Sequence, residues 1–426
     1  MKIALAVYGT RGDVEPMLAV GRELVRRGHD VRVAVPPDLV GLAGSAGFAA
    51  VAYGSDSQEM LAKEAGANLF GESEHRFWEI KKIAQIYRDS WEDSSKCRRE
   101  LSEALISLAD GVDLLFHGQV FEDLADNVAE YFGIPMVVLH HIPLRPNNVF
   151  PWFLPAPLGR AAMTAFWWVT SRVVGNAEKR ERRQLGLPKN SRAATRRITE
   201  RGSLEIQAYD EVCYPGLAAE WADRKEQRPF VGTLTLEQPT DADEDVAAWI
   251  AAGTPPICFN FGSMALKSPA DTIAMIGLAC TRLGERALVC AGSSGLPTGS
   301  RHADNIKVVG TMNHSVIFPA CRAVVHHGGA GTTAAVLRAG VPHLVLWSAP
   351  ERMANGVVVT RLKAGISRRF SGDLTGDTLI EELRQVLAPQ YRDRARDVAA
   401  QMKAPADGVR DAADHIEAFA NVQTVD

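Results

Sequence analysis

The sequence predicts an α/β protein made of two Rossmann-like domains, each with a doubly wound parallel sheet. Short apolar strands alternate with helical stretches in both halves of the chain, and that alternation is typical of parallel sheets. At 426 residues the chain is too long for one hydrophobic core. A polar, proline-bearing stretch separates the two series. We therefore expect two domains that face a cleft.

The alternating pattern also sets the expected elements and boundaries. The first half predicts strands Ile3–Tyr8, Val31–Val35, Asp113–Phe116 and Pro135–Leu139, helices Pro16–Arg27, Leu124–Phe132 and Leu158–Leu187, and a helical insertion Phe70–Arg99. The second half predicts strands Ile257–Phe261, Ala287–Ala291, Ile306–Val309, Ala323–Val325 and His343–Trp347, with amphipathic helices from Thr378 onward. The domains are then 1–228 and 246–400, joined by a linker at 229–245. A C-terminal helix and tail at 401–426 is expected to return to the first domain.

Composition and charge exclude several classes of protein. The formal net charge of −4 gives no reason to expect a nucleic-acid partner. Six cysteines are scattered without metal-ligand spacing, as in reduced cytosolic proteins, so we expect a cytoplasmic location. The N-terminal apolar run is short and leads into a polar loop, so it predicts a strand rather than a signal peptide. No apolar run reaches the ~18 residues of a transmembrane helix.

The most informative motif is HHGGAGTT at 326–333, where an apolar strand leads through a glycine turn into a helix. Free N–H groups at a helix N-terminus attract phosphate, and glycines let the backbone approach an anion closely. A tight strand–turn–helix connection without a ligand is the alternative. We predict a diphosphate site whose residues are His327, Gly328, Gly329, Gly331 and Thr332.

A second motif, GTRGDVEP at 9–16, follows the first strand. It lacks the third glycine of a dinucleotide fingerprint. Asp13 would lie at a helix start and at the carboxyl edge of a parallel sheet, where such folds bind ligands. The helix dipole would keep it ionised and able to accept a proton. In the alternative, structural interpretation, Asp13 or Glu15 caps the helix and Pro16 lies in its first turn.

Two further strand ends carry polar groups. Ser263 follows the strand that begins at Ile257, where its hydroxyl and N–H could meet a phosphate; a plain turn is the alternative. Glu351 and Arg352 follow the strand ending at Trp347 and are either functional or part of a solvated loop. The DAD sequence at 241–243 resembles a metal motif, but it lies in the acidic linker, so we expect no metal there.

Together these motifs resemble the GT-B glycosyltransferases of family 1, the UDP/TDP-sugar transferases. GTRGDVEP, FGSM at 261–264, HHGGAGTT and GVPHLVLW at 340–347 are similar, in the same order, to motifs of one bacterial branch. That branch includes glycopeptide-antibiotic, sterol and mycobacterial glycopeptidolipid transferases. The resemblance covers nearly the whole chain. It implies a GT-B fold with an acceptor-binding first domain and a nucleotide-sugar-binding second domain.

The resemblance also implies an inverting, metal-independent transfer of a sugar. The co-substrate would be a UDP- or TDP-sugar, and no other cofactor is expected. Asp13 would take the proton of an acceptor hydroxyl, and Ser263 would assist His327 and the glycine turn in holding the leaving diphosphate. Further contacts follow from matching positions: Thr10, Arg11 and Gly12 near donor and acceptor, Thr311, Met312 and Asn313 at the nucleotide base, and Glu351 and Arg352 at the donor sugar.

One pair of residues departs from the family. Relatives usually carry Asp-Gln where this chain has Glu351 and Arg352. Arginine replaces a neutral amide with a fixed cation that cannot accept a hydrogen bond. We therefore expect a donor other than plain glucose, with a 6-deoxyhexose as the hypothesis. The acceptor is expected to be a hydrophobic natural product, a glycolipid or a lipopeptide. A sugar-nucleotide epimerase of the same fold and a non-catalytic nucleotide-sugar-binding helper are the alternative functions.

Candidates for the acceptor side are His117, His140 and His141, although histidines after strands are more often structural. The stretch 166–201 carries Phe166-Trp167-Trp168 followed by a basic run that extends to Arg201. In one interpretation its aromatic side chains pack in the first domain or line the acceptor pocket, and the basic face is solvated. In the other, the stretch makes weak contact with an anionic bilayer, and the protein works at the inner face of the membrane.

Overall fold

A computed structural model of the chain describes residues 1–57, 91–149, 155–190, 192–236, 240–262, 268–292, 305–348, 350–370 and 375–423. The chain divides into two compact units. The first unit comprises Met1–Tyr209, Pro215–Leu236 and Ala404–Asp426, and the second comprises Asp210–Tyr214 and Glu237–Lys403. The stretch predicted as a linker is therefore divided, with 229–236 in the first unit and 237–245 in the second.

The first unit holds a six-stranded sheet in which every neighbouring pair is parallel. Its strands are β1 (Lys2–Ala6), β2 (Asp30–Val35), β3 (Ala50–Ala52), β4 (Leu114–Gly118), β5 (Met136–His140) and β6 (Leu204–Gln207). They lie in the order β3-β2-β1-β4-β5-β6. The order reverses between β1 and β4, which is the switch point where open α/β sheets bind ligands.

Helices of the first unit cover both faces of this sheet, so the central strands are buried on both sides and read as continuous apolar runs. They are α1 (Arg11–Arg26), α2 (Val40–Ser45), α3 (Trp91–Ala109), α4 (Glu122–Phe132), α5 (Ala156–Gln184), α6 (Ala194–Glu200) and α7 (Leu217–Glu220). Short 3-10 turns lie at Pro37–Leu39 and Ala222–Arg224.

The second unit repeats the same topology. Its strands are β7 (Ile257–Asn260), β8 (Ala287–Cys290), β9 (Ile306–Val309), β10 (Ala323–His326), β11 (His343–Trp347) and β12 (Gly365–Arg369), in the order β12-β11-β10-β7-β8-β9. Its helices are α8 (Asp243–Ala251), α9 (Pro269–Leu283), α10 (His314–Ile317), α11 (Ala330–Ala339), α12 (Pro350–Arg361), α13 (Gly376–Val386) and α14 (Pro389–Ala399), with 3-10 turns at Glu211–Cys213 and Phe318–Ala320. Here the switch point lies between β7 and β10.

The C-terminal helix, α15 (Pro405–Gln423), belongs to the first unit, which confirms that part of the predicted fold. It packs on α1, and ion pairs fix it there. Arg27 reaches Asp414 and Glu417 at 2.5 and 2.6 Å, and His29 Nε2 lies 2.7 Å from Glu417 Oε1. The chain thus closes its first unit with residues from its far end.

Three strands were not predicted from the sequence patterns. β3 and β12 are edge strands that carry few buried side chains, so they lack a strong apolar run. β6 contains two polar residues, Glu205 and Gln207, which are both fully buried. The predicted insertion Phe70–Arg99 lies outside the described residues up to position 90, and its remainder belongs to α3.

Part of the basic run after the tryptophans is buried, so the prediction of a solvated basic face is wrong for two of its arginines. Arg182 and Arg197 are 3% and 5% exposed. Arg182 binds Glu130 at 2.8 Å, and Arg197 binds Asp126 at 2.7 Å. These ion pairs tie α5 and α6 to α4. The sequence shows the arginines but not their partners some 50 to 70 positions earlier.

The aromatic side chains of α5 also differ from expectation. Trp167 is half-buried and its Nε1 donates to the Leu144 carbonyl at 2.7 Å. Its neighbours Phe166 and Trp168 are 59% and 58% exposed, so they are not packed in the first unit. Within the described part of the chain, no helix is long and apolar enough to cross a membrane.

Candidate active site

Asp13 lies in the third position of α1 and is half-buried. Its Oδ2 accepts the backbone N–H of Thr10 at 2.9 Å and the Thr10 hydroxyl at 3.1 Å. Thr10 is therefore the N-cap residue, and the alternative interpretation that placed Asp13 or Glu15 at that position is wrong. Pro16 lies inside the helix rather than in its first turn. The cap residue and the carboxylate together satisfy N–H groups that would otherwise lack partners.

A glycine makes room for this carboxylate. Gly9 has φ 142°, and a Cβ on it would lie 2.5 Å from Asp13 Oδ2. Any other residue at position 9 would collide with the side chain of Asp13. Arg11 and Gly12 are exposed in the first turn of α1, where Arg11 pairs with Glu15 at 3.0 Å. The helix start thus presents Asp13 directly after two solvent-exposed positions.

The three histidines predicted on the acceptor side differ in their surroundings. His117 is fully buried at the end of β4, and the hydroxyl of Tyr53 lies 3.0 Å from its Nε2. Burial lowers the pKa of His117 to about 4, so this ring is neutral at pH 7. Burial also lowers the pKa of His141, and the Asp13 carboxylate opposes that shift. Of the three predicted histidines, His141 is therefore the one whose electrostatic surroundings include Asp13.

His140 belongs to a buried ionic network instead. Its Nε2 lies 3.4 Å from Glu122 Oε2, and Arg145 donates to both oxygens of Glu122 at 2.7 and 3.0 Å. Arg145 also binds Glu205 of β6. Burial would raise the pKa of Glu122, but the charges and hydrogen bonds of Arg145 and His140 together outweigh it and lower the pKa to about 2. This network is structural, since it ties α4, β5 and β6 together.

In the second unit, the predicted phosphate motif lies at the switch point. His327 follows β10, is 7% exposed, and packs its ring against Gly262 after β7. Its Nδ1 has no hydrogen-bond partner among the described residues. Burial and the positive charge of Arg352 lower the pKa of His327 to about 4. A neutral, buried ring whose Nδ1 has no partner among the described residues can form a hydrogen bond with a ligand.

The N-terminus of α11 follows directly. Gly329 is its N-cap residue and makes no side-chain cap, so the first-turn N–H groups are not occupied by a capping side chain. Gly331 is exposed and Thr332 half-buried in that turn. The Thr333 hydroxyl donates to the Gly329 carbonyl at 2.8 Å, so it is engaged in a hydrogen bond within the first turn of the helix. Ser263 and Met264 lie outside the described residues.

The predicted base region is only partly accessible. Thr311 is exposed, whereas Met312 is 6% exposed and packs in the hydrophobic core of the second unit. Asn313 caps α10 by accepting the Ser315 N–H at 3.1 Å, and its own N–H donates to Asp243 at 2.7 Å. The acidic DAD sequence therefore supplies a capping carboxylate. No cluster of metal-ligating side chains occurs in the described part of the chain.

The predicted donor-sugar pair lies in the first turn of α12. Arg352 is half-buried and donates to the Ser348 hydroxyl at 3.2 Å. A Cβ on Gly328 would lie 2.8 Å from the backbone oxygen of Arg352, and the positive charge of Arg352 acts on His327. Arg352 and the phosphate motif are thus neighbours in the second unit.

Sequence reasoning missed three polar residues at this switch point. Asn260 ends β7, where its Oδ1 accepts the Gly262 N–H at 3.0 Å and its Nδ2 lies 2.7 Å from His314 Nε2. Asn355 of α12 donates to the Gly328 carbonyl at 2.8 Å. An asparagine that ends an apolar strand was the available signal for Asn260. Nothing in the local sequence marks His314 or Asn355.

Comparison with known proteins identifies the family. The model of the glycosyltransferase family 28 N-terminal domain matches residues 3–52, and that of the erythromycin biosynthesis protein CIII-like C-terminal domain matches residues 289–411. An uncharacterized glycosyltransferase of Mycobacterium tuberculosis is 51% identical over 420 residues, which are 98% of each chain. The chain belongs to this glycosyltransferase family. It is thus an enzyme of the glycosyltransferase class, as the motifs predicted.

More distant relatives and solved structures agree on the fold. The glycosyltransferase is 28% identical to the vancomycin aglycone glucosyltransferase of Amycolatopsis orientalis, over 94% of this chain and 93% of that one. The solved glycotransferase of kitacinnamycin covers 98% of both chains with a TM-score of 0.68 at 18% identity. VinC in complex with dTDP has a TM-score of 0.61, at 18% identity, over 94% of this chain and 95% of that one. The predicted GT-B fold of the glycosyltransferase is confirmed.

Proposed function

We propose that this glycosyltransferase moves a sugar from a UDP- or TDP-sugar to a hydroxyl of a hydrophobic acceptor. The single observation that carries the donor class is the buried His327, which lies just before the N-cap of α11 in the chain and whose Nδ1 has no partner among the described residues. Helix dipole and N–H groups favour an anion there. The dTDP bound to the VinC relative is a ligand of the chemistry that such a site fits.

The transfer is proposed to invert the anomeric centre. Asp13 takes the proton of the acceptor hydroxyl, whose oxygen then bonds to the anomeric carbon. The bond from that carbon to the diphosphate breaks, and the diphosphate leaves with the bonding electrons. The N–H groups of α11 stabilise the charge that grows on it. No metal is required, because these donors and the neutral His327 supply the stabilisation.

A turnover panel tests this proposal. The protein is incubated with UDP- and TDP-linked sugars, with and without a sterol and a glycopeptide aglycone, the acceptor classes in the relatives' names. Release of UDP or TDP that depends on the acceptor supports transfer, and the anomeric configuration of the product tests inversion. An epimerised donor formed without acceptor would instead mean an epimerase. If no nucleoside diphosphate or its sugar raises the melting temperature, the protein does not bind such donors.

The donor sugar is proposed to be a 6-deoxyhexose. Glu351 and Arg352 begin α12 close to the phosphate motif, and Arg352 is a fixed cation where relatives usually carry an amide. An Arg352→Gln variant restores the common residue. We expect it to gain turnover with UDP-glucose relative to TDP-deoxysugars. A wild-type enzyme that already prefers UDP-glucose would contradict this proposal.

The acceptor is proposed to be lipid-linked and to be met at an anionic membrane surface. Exposed apolar side chains on α5, among them Leu158, Trp168 and Val169, lie on one helical face at 58%, 58% and 50% exposure. Arg172 continues that face, with its guanidinium 4.8 Å from the Trp168 ring centre. An apolar half followed by a cationic half fits a bilayer with negative headgroups.

Liposome flotation tests the membrane proposal. The protein should float with vesicles that contain phosphatidylserine at low salt, and Trp168→Ser should weaken this. Val422→Ser is the matched control, because Val422 is 63% exposed on α15. Equal flotation of both variants, or no flotation of wild type, would contradict the membrane proposal. Neither result would bear on the proposal of glycosyl transfer.

A further inference from the structure

A chain of hydrogen bonds joins two buried histidines to the glycine turn before α11. The Gly328 nitrogen lies 3.2 Å from His326 Nδ1, and His326 Nε2 lies 3.1 Å from His343 Nδ1. Both rings are fully buried on the neighbouring strands β10 and β11. Neither histidine was among the predicted site residues.

The donor at one end of the chain fixes the tautomer of both rings. A backbone N–H can only donate, so His326 Nδ1 is an acceptor and the proton of that ring lies on Nε2. His326 Nε2 then donates to His343 Nδ1, which places the proton of His343 on its Nε2 as well. That last nitrogen is buried and has no partner among the described residues. A buried donor without a partner opposes folding, so its presence calls for a compensating role.

Gly328 is also held from its other side. Its carbonyl accepts from Asn355 of α12, and its φ of 88° lies in the left-handed region that favours glycine. Contacts from β10 and from α12 therefore fix the orientation of the peptide groups on both sides of this residue. The chain then continues into the first-turn N–H groups of α11.

We propose that His326 and His343 are positioning residues for the diphosphate site. His343 holds the tautomer of His326, and His326 holds the Gly328 N–H, so the turn is already in its binding geometry before the ligand arrives. Preorganised donors need no rearrangement on binding. The inference rests on the proposed function, because it assumes that a nucleoside diphosphate binds at α11.

Substitution by asparagine or by glutamine distinguishes the roles of the two ring nitrogens of each histidine. An asparagine amide reaches about as far as Nδ1, and a glutamine amide about as far as Nε2. His326→Asn and His343→Asn therefore keep the acceptor of the chain, whereas His326→Gln and His343→Gln remove it. We expect both Gln variants to bind UDP or TDP about tenfold more weakly than wild type, and both Asn variants to stay within about threefold. Binding of uridine or thymidine should not change in any variant.

Calorimetric titration of the five proteins decides between the outcomes. If wild type binds UDP or TDP and the Asn and Gln variants bind it equally well, the positioning role is wrong. If wild type binds neither nucleotide, the proposed function fails, and histidine NMR then tests the hydrogen-bond chain alone. Nitrogen-15 spectra of wild type should show His326 and His343 as Nε2–H tautomers. An Nδ1–H tautomer at either ring would overturn the inference. Because this measurement uses wild type, it holds even if a Gln variant does not fold.

Discussion

Replacing Asp13 by asparagine separates the two tasks that the structure gives its carboxylate. One oxygen accepts the N–H and the hydroxyl of Thr10 at the start of α1. An asparagine oxygen can take over that role, because asparagine is a good partner for helix-start N–H groups. An amide has no basicity with which to take a proton from an acceptor hydroxyl. Asp13→Asn should therefore keep the helix and lose the chemistry.

The magnitudes follow from these two roles. Losing a positioned general base costs about 10²–10⁴-fold in rate, so kcat should fall by that factor in Asp13→Asn and Asp13→Ala alike. Losing the helix-start hydrogen bonds costs about 1 kcal/mol, which lowers the melting temperature of a unit of this size by about 2–4 °C. Only Asp13→Ala should show that second effect. Nucleotide affinity should be unchanged in both variants.

Steady-state turnover with the best donor, thermal melting and UDP or TDP titration measure the three quantities. Glu15→Gln is the matched control, since it removes a neighbouring carboxylate that pairs with the exposed Arg11 at 3.0 Å. It should leave kcat within about twofold of wild type, because exposed ion pairs contribute little. A fully active Asp13→Asn would refute the assignment of Asp13 as the base. A similar rate loss in Glu15→Gln would show that the helix start as a whole matters instead.

Three further predictions follow from buried groups. Arg197→Met should lower the free energy of unfolding by about 3–5 kcal/mol, because it removes the buried cation that pairs with Asp126 and Glu178. Arg196→Met, on the exposed side of the same helix, should change it by less than about 1 kcal/mol in urea titrations. The second unit should lose stability as pH falls below about 6.5, because the buried His326, His327 and His343 have lowered pKa values when folded and take up protons on unfolding. The loss should reach roughly 4 kcal/mol per pH unit near pH 5, and a stability that does not change with pH would contradict the prediction. Gly9→Ala places a Cβ against the Asp13 carboxylate at φ 142°, so transfer and melting temperature should both fall, and a wild-type rate would show that the turn adapts.

The sequence predicted both sheets and the strand ends that carry the candidate site. Apolar strands followed by glycine and a polar group are local patterns, so the turn at His327 and the helix after it could be read directly. The start of α1 could not, because Pro16 favoured a later start and Thr10 acts only together with Asp13. The strands β3, β6 and β12 were also missed, because each lacks a strong local apolar run.

Contacts between positions far apart in the chain could not be predicted from the sequence. Arg182 and Arg197 appeared as part of a basic run, but their buried acidic partners lie on α4, far back in the chain. The pairing of His326 with His343 depends on strand register, which a single sequence does not reveal. Register and packing, rather than composition, decide which polar groups meet.

The most direct test of the account is a crystal structure of the protein with bound UDP or TDP. The account predicts the diphosphate at the N-terminus of α11, with His327 Nδ1 and the N–H groups of Gly329 to Thr332 within hydrogen-bond distance of its oxygens. A diphosphate bound elsewhere, with His327 Nδ1 still lacking a ligand contact, would contradict the central claim.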